Sequence, residues 1–351
     1  MTATTDAGIG LLDSELLPDI RAHADALDRD EHTSRRSFAG LGAAGLLGLG
    51  APGNADGRLS QMADMISLIS GECMSTGFSV WAHRMAIEYL LTAATPFSLT
   101  AAEPLLAGTT LGVTGMASAF KDAAGCGSLD LTATPVDGGY QLSGSIRWAS
   151  NLYDDSMMIT AARTEAGEKL IVAVPLNTPG VVLGDHFELL AMGSTASSYL
   201  KLKDVFVASE QVLSTDFQGF LHAVRPTFLV LQSAMCIGLT KTTVAQSKLG
   251  LTGVNSVFTA EVDELAEKLA LAQTTLASAA AAVGGAQPPS KKELLSLRLA
   301  SAEIASASCG SGDQNRGRQG VREQDAGKPT LSRGRFHPRP VALRGSTPVG
   351  T

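Results

Sequence analysis

The spacing of apolar residues changes twice along this 351-residue chain, and those two changes restrict the folds open to it. Residues 11–31 and 58–94 repeat apolar side chains at helical spacing, as in Met62, Met65, Ile66 and Ile69, so the first hundred residues read as helices. From about Leu111 the period shortens. "LDLTATPVDGGYQLSGSIRW" (129–148) alternates, turns at Asp137-Gly138-Gly139 and alternates again, which predicts a hairpin. "MMITAAR", "KLIVAVPL", "GVVLGD" and "YLKLKDVFV" follow at short, turn-punctuated intervals. Helical spacing returns in "FLVLQSAMCIGLTKTTVAQSKLG" and in the Ala/Leu-rich run from Thr259 to Ala282; Gly284-Gly285 and Pro288-Pro289 break it before a last helix to about Ser308. The expected class is α+β: an N-terminal helical domain (1–110), a middle β-barrel or sandwich domain (111–212), a C-terminal antiparallel helical domain (213–308) and a basic disordered tail (309–351).

Length and a 44% hydrophobic content allow a large core in two or three domains. A formal charge of −7 argues against a nucleic-acid partner, because phosphate binding needs Lys and Arg to neutralise a dense line of negative charge, so small molecules are the expected partners. Cys73, Cys126, Cys236 and Cys309 form no CxxC pair and have no histidine at metal-ligand spacing. They read as buried thiols of a cytoplasmic protein, and no metal is expected. "SRRSFAGLGAAGLLGLGA" (Ser34–Ala51) imitates a twin-arginine export signal, yet eight acids precede it against two arginines, where a positive segment is required. Its apolar run is too short and glycine-broken to span a bilayer. It reads instead as a helix end running into a turn at Ala51-Pro52-Gly53.

The order of helices, β domain and long antiparallel helices resembles the acyl-CoA dehydrogenase family, and particular residues carry the likeness over roughly residues 10–308. "FAGLGAAGLLGLGAP" is similar to that family's N-terminal segment. "TGMASAF" (114–120) sits where its flavin-contacting strand lies, and "RWASN" (147–151) matches its W-I-(T/S)-N motif. "LLAMGSTASSYLKLKDVFVASEQVL" resembles the G-x-R-x-S stretch with its following strand, and "VRPTFLVLQSAMCIGL" resembles the R-P-x-x-x-A-x-x-x-G opening of the C-terminal helices.

Trp148, one of only two tryptophans, would alone be an ordinary strand-end core residue. The resemblance implies more. A flavin ring is flat and apolar with an edge of hydrogen-bond acceptors, so its site wants an aromatic face beside a small residue that offers a hydroxyl or a backbone N–H. By resemblance Trp148 packs on FAD, Ala149 and Ser150 approach its N5 edge, and Ser118, with the backbone at Ala117 and Ala119, bonds the pyrimidine end. Ser128, beside Asp130, echoes the family's Gly-Ser-Asp, and Ser128 and Arg225 are the implied substrate contacts. Trp81 and His83 read as helix packing. The implied reaction is α,β-dehydrogenation of an acyl-CoA thioester: a carboxylate removes the α-proton as the β-hydride passes to flavin N5, in a dry site whose donors hold the thioester oxygen. The family's homo-oligomeric assembly is expected if the C-terminal domain is intact.

Several of the family's parts are missing. Val224 occupies one position of the catalytic glutamate, Ser194-Thr195-Ala196 replaces the arginine near Gly193, and "KLGLTGVNSVFTAEV" lacks the Arg and Gln that share the flavin between subunits. The catalytic base is therefore unassigned. The commoner glutamate position follows a Gly-Gly-x-Gly-Tyr turn near the C-terminus, but residues 310–351 hold eight Lys/Arg against three acids, +5 against −12 for the remainder, with four prolines and no apolar period. Such a tail reads as disordered, with RNA or lipid binding as its functional reading. A reading-frame slip explains it better: permitted codons for Gln314–Leu343, shifted by one base, can encode a Gly-Gly-Lys-Gly-Tyr turn and an Arg-rich segment. Resequencing across codons 305–315 tests this. A lost helix would leave apolar stripes uncovered on the Thr259 and Ser290–Ser308 helices. The function classes carried forward are an FAD-dependent dehydrogenase, a flavin-dependent monooxygenase on the same fold, and a non-catalytic scaffold that holds no flavin.

Overall fold

The structure, a computed structural model, describes residues 8–52 and 59–316, with side chains to residue 309. Its first part contains helices α1 (Leu17–Asp28), α2 (Phe38–Ala43), α3 (Leu59–Glu72), α4 (Met74–Ala93) and α5 (Pro96–Leu106). Fifteen of the twenty residues of α4 are buried, so it lies inside the molecule with partners on every side. It ends at Ala94, in the left-handed region at φ 52°. The next helix starts at once because Thr95 and Ser98 close a capping box around Pro96 in the first turn.

The chain then enters β1 (Gly112–Gly115), a short helix α6 (Ala117–Ala123) and seven further strands: β2 (Leu131–Val136), β3 (Gly139–Ala149), β4 (Met157–Thr164), β5 (Lys169–Pro175), β6 (Val181–Leu183), β7 (Ser198–Ala208) and β8 (Val212–Ser214). They form one sheet in the order β6-β7-β3-β2-β4-β5-β8, with β1 parallel to β4. The expected hairpin is present, pairing Val136 with Gly139 across a two-residue turn in which Gly138 takes φ 76°. The sheet curls over its own core, where Leu170, Val172 and Val174 of β5 meet Leu202, Val205 and Val207 of β7. Its other face, with Ile159, Ala161, Ile171 and Ala173, joins the larger core of the helices.

Three long helices complete the described residues: α7 (Phe217–Leu249), α8 (Thr259–Ala282) and α9 (Lys291–Arg316). Asp216 caps α7 by accepting from the Gly219 N–H. By length and composition α7 could cross a bilayer, but 56% of its most apolar window is buried inside the fold, where it packs against α3, α4 and α9. Gly238 permits the α3 crossing, because a Cβ there would collide with the Ser67 carbonyl. Gly238→Ala should therefore cost about 1–3 kcal/mol, as overpacked cores do, and appear as a lower urea midpoint at unchanged slope. On α8 and α9, Leu271 and Leu299 are 70% and 60% exposed, and Leu271 lines a cleft of about 930 Å³ between the two helices.

Three expectations are corrected. The last helix continues to Arg316 through glycines 310 and 312, each costing about 1 kcal/mol of helix propensity, because buried Ile304, Ala305 and Ser308 anchor it. The basic tail was expected from 309; what remains of it, residues 317–351, lies outside the described residues, as does its reading-frame origin. Only Cys73 is buried among the four cysteines, and Cys126 is exposed after α6. Finally, the helix in the twin-arginine segment ends at Ala43 rather than near Ala51, and the leucines beyond it, Leu46, Leu47 and Leu49, are fully buried. Arg35 pairs with both oxygens of Asp155, and Arg36 with both of Asp19.

Candidate functional site

The end of β3 presents an anomaly of burial. Trp148 is 53% exposed, while the next two residues, Ala149 and Ser150, are 4% and 6% exposed. Its indole leans on Phe187, with ring centres 4.7 Å apart, and the remaining surface is open. Trp148 is thus no core residue: a large apolar ring is held out at the strand end with one face open.

Behind it lies a buried chain of hydroxyls. Ser150 Oγ is 2.6 Å from Ser197 Oγ, which is 2.7 Å from Thr195 Oγ1, and the Thr195 hydroxyl donates to the Met192 carbonyl at 2.7 Å. The backbone fastens the same residues, since the Asn151 and Leu152 N–H groups donate to the Thr195 and Ala196 carbonyls. Of the six non-glycine residues with positive φ among the described residues, three are here: Asn151 (62°), Met192 (67°) and Ala196 (49°). Such conformations cost of order 1–3 kcal/mol each and persist where surrounding contacts enforce them.

Asn151 explains part of that enforcement. Its Nδ2 donates to the Ser79 carbonyl of α4 and to the Gly112 carbonyl of β1, at 3.0 and 3.1 Å. A second hydroxyl pair, Ser34 and Ser79, reaches the Ser194 carbonyl. The N-terminal helices, β1 and the 192–198 turn are therefore tied together at this corner. Asn151 Oδ1 and Ser194 Oγ are buried there without a hydrogen-bond partner.

A second group surrounds α6. Ala117, Ser118 and Ala119 do not continue a strand as expected but form the first turn of this helix. β1 pairs with β4 for only four residues, after which an alanine-rich segment takes up helix. Ala117 is exposed, Ala119 is buried, and Ser118 is buried with no side-chain hydrogen bond among the described residues. The adjacent Phe120 packs on Phe228 at 4.5 Å, and the Arg225 guanidinium lies 5.9 Å from the Phe120 ring centre. The structure thus brings Arg225 beside the Ser118 turn. It leaves Ser128 exposed in the loop after α6, without a hydrogen bond among the described residues. Trp81 sits between Phe78 and Phe228, as packing, although its Nε1–H has no partner.

Val224 is fully buried on α7 and brings no acid to the implied base position. A carboxylate does reach this stretch of α7 from α4: Glu88 accepts from Thr227 at 2.9 Å and pairs with Arg84 at 2.8 Å, so both its oxygens are engaged. Among the described residues no group of His, Cys, Asp and Glu is placed to hold a metal ion. Sequence reasoning missed Thr195, Ser197 and Phe187. The available signal was the density of hydroxyls in "GSTASS", which drew notice only for the arginine it lacks.

A helical layer, a curled eight-stranded sheet and long C-terminal helices, with an open tryptophan where β3 ends, define an acyl-CoA dehydrogenase fold. No protein-family model matches the chain. It is 26% identical over 220 residues to YngJ of Bacillus subtilis (strain 168), named a probable acyl-CoA dehydrogenase, covering 58% of this chain and 56% of that protein. It is 28% identical over 211 residues to the mitochondrial isovaleryl-CoA dehydrogenase of Oryza sativa subsp. japonica, covering 57% and 51%. The chain thus spans about half the length of the curated relatives it matches. Among solved structures, the glutaryl-coenzyme A dehydrogenase complex with glutaryl-CoA superposes with a TM-score of 0.77 at 18% identity, covering 87% and 85% of the two chains. Butyryl-CoA dehydrogenase from Megasphaera elsdenii gives 0.76 at 17%, covering 93% and 90%. KijD3, in complex with FMN and a dTDP-amino sugar, gives 0.75 at 21%, covering 96% and 90%. The chain thus has the acyl-CoA dehydrogenase fold, and over part of its length it is distantly similar in sequence to acyl-CoA dehydrogenases.

Proposed function

We propose that this chain is a cytoplasmic flavin-dependent oxidoreductase of acyl-CoA dehydrogenase type, with FAD as cofactor and an acyl-CoA thioester as substrate. The observation that carries this reading is the pairing of an exposed indole at Trp148 with the buried hydroxyl of Ser150 two residues on, in a corner over-determined by Asn151. A flavin ring fits that arrangement, an apolar face against Trp148 and a polar edge against Ser150. When bound, the flavin would supply the acceptor for the substrate's β-hydride. The protein's own part is to position the ring, exclude water around it and hold the thioester, with Ser118 and Arg225 on the α6 side. Titration with FAD, followed by visible absorbance, tests the reading. Stoichiometric flavin bands are expected; a chain that refuses flavin would be a non-catalytic scaffold. Trp148→Ala should weaken FAD about ten- to a hundredfold, the weight of one aromatic stacking contact at about 1–3 kcal/mol.

One observation favours a second reading within the same fold, flavin-dependent monooxygenation. That chemistry needs no carboxylate to remove an α-proton, and Val224 offers none. Anaerobic bleaching of the bound flavin by acyl-CoA separates the two. FMN belongs in the titration as well, because Lys248, the one cation in the 248–262 segment, faces Asp263 at 3.8 Å, leaving no Arg for a diphosphate there.

A further inference from the structure

The hydroxyl chain behind Trp148 has a fixed direction. Each hydroxyl carries one proton and can accept through its lone pairs. The Met192 carbonyl can only accept, so the Thr195 proton is committed to it at 2.7 Å. The 2.7 Å contact between Thr195 and Ser197 is then a hydrogen bond only if Ser197 donates. With that proton committed, the 2.6 Å contact between Ser150 and Ser197 requires Ser150 to donate inward. All three protons point away from β3, and Ser150 Oγ is left with lone pairs and nothing to give. Reversing the chain would set the Thr195 and Met192 oxygens 2.7 Å apart, lone pair against lone pair with no proton between them, and would leave the Met192 carbonyl only the longer bond from the Thr195 N–H at 3.2 Å. Thr195 is 1% exposed and Ser197 3%, so water offers no alternative partner.

We infer that Thr195 and Ser197 are positioning residues that make Ser150 an obligate hydrogen-bond acceptor, so that this corner prefers a ring edge carrying an N–H, the reduced form of a flavin, over the oxidised form with a bare nitrogen there. The inference rests on the flavin reading above. It concerns residues that stand where the family's arginine and serine do, and it follows from proton direction alone. An oxidised ring meets an oxygen lone pair with its own; a reduced ring meets it with a donor. Charge development at that edge is thereby favoured in the direction of reduction.

The test is the midpoint potential of the bound flavin, read by equilibration with a redox dye, together with the affinity for FAD. Thr195→Val releases Ser197 and allows the chain to turn round, and Ser197→Ala frees the Ser150 proton directly. Each should lower the ratio of reduced to oxidised affinity about tenfold, the weight of one hydrogen bond, which for a two-electron couple is a fall of about 30 mV. Thr195→Ser keeps the anchoring hydroxyl and should stay within about twofold of the parent. Potentials of Thr195→Val and Ser197→Ala equal to the parent, or an equal shift in Thr195→Ser, would overturn the inference while leaving the flavin reading intact. A parent protein that binds no flavin would overturn both.

Discussion

Glu88→Ala should be the most damaging single substitution in the helical core, lowering stability by about 3–5 kcal/mol, the cost of leaving one partner of a buried ion pair uncompensated. Arg84 and Glu88 lie one turn apart on α4; Arg84 is fully buried and Glu88 almost so. The Arg84 Nε–H donates to the Leu49 carbonyl, one Nη1–H reaches Glu88, and Nη2 has no hydrogen-bond partner. The guanidinium is therefore already short of acceptors, and without the carboxylate it would keep a single carbonyl. Glu88 also receives the Thr227 hydroxyl, so the same change unfastens α4 from α7 just beyond Arg225 and Pro226. Urea unfolding of Glu88→Ala and of the double variant Arg84→Met/Glu88→Leu separates charge from packing. The double variant should lose less than the single one, because apolar residues of similar volume replace a buried pair at little cost. A single variant that loses under about 1 kcal/mol would show that water reaches Arg84.

The architecture was legible wherever one period dominated. The Thr259–Ala282 helix begins and ends as read, and the Asp137-Gly138-Gly139 hairpin stands at its expected place, because Gly138 answers a requirement of the turn itself. Segments whose fate depends on partners were not legible. Nothing local in "TGMASAF" says that β1 will leave β4 after Gly115, so a strand was expected where α6 starts. The run 44–51 gives only scattered apolar residues, yet three of its leucines are core, fixed by contacts from other helices. The same division holds at the site. Trp148 and Ser150 were singled out by adjacency in a motif, whereas Thr195 and Ser197 come to Ser150 only through the pairing of β3 with β7, in which Ala149 stands opposite Ser198. The Arg84–Glu88 pair has helical spacing and could be read as a surface pair from sequence; burial on all sides of α4 makes it a core element.

Acid should loosen this corner well before it protonates most carboxylates. His83 is fully buried on α4, where its Nε2–H donates to the Leu105 carbonyl and its Nδ1 accepts the Gly112 N–H, a geometry that only the neutral ring satisfies. Burial pushes its pKa down to about 4; the Leu105 carbonyl opposes that shift, and the neighbouring Arg84 charge adds to it. The unfolded chain binds this proton near 6.5, so between about pH 6.5 and 4 it holds more protons than the folded one, and stability falls as pH falls. The whole window corresponds to about 3 kcal/mol, of which about 2 are lost by pH 5. Gly112 is also an anchor of Asn151, so the turn that holds Ser150 should lose its footing over the same range. Thermal unfolding from pH 7 to 5 should show a falling midpoint in the parent and a flatter one in His83→Gln, with FAD retention following the parent curve. Equal slopes in the two proteins would assign the acid sensitivity to other groups and leave His83 as packing alone.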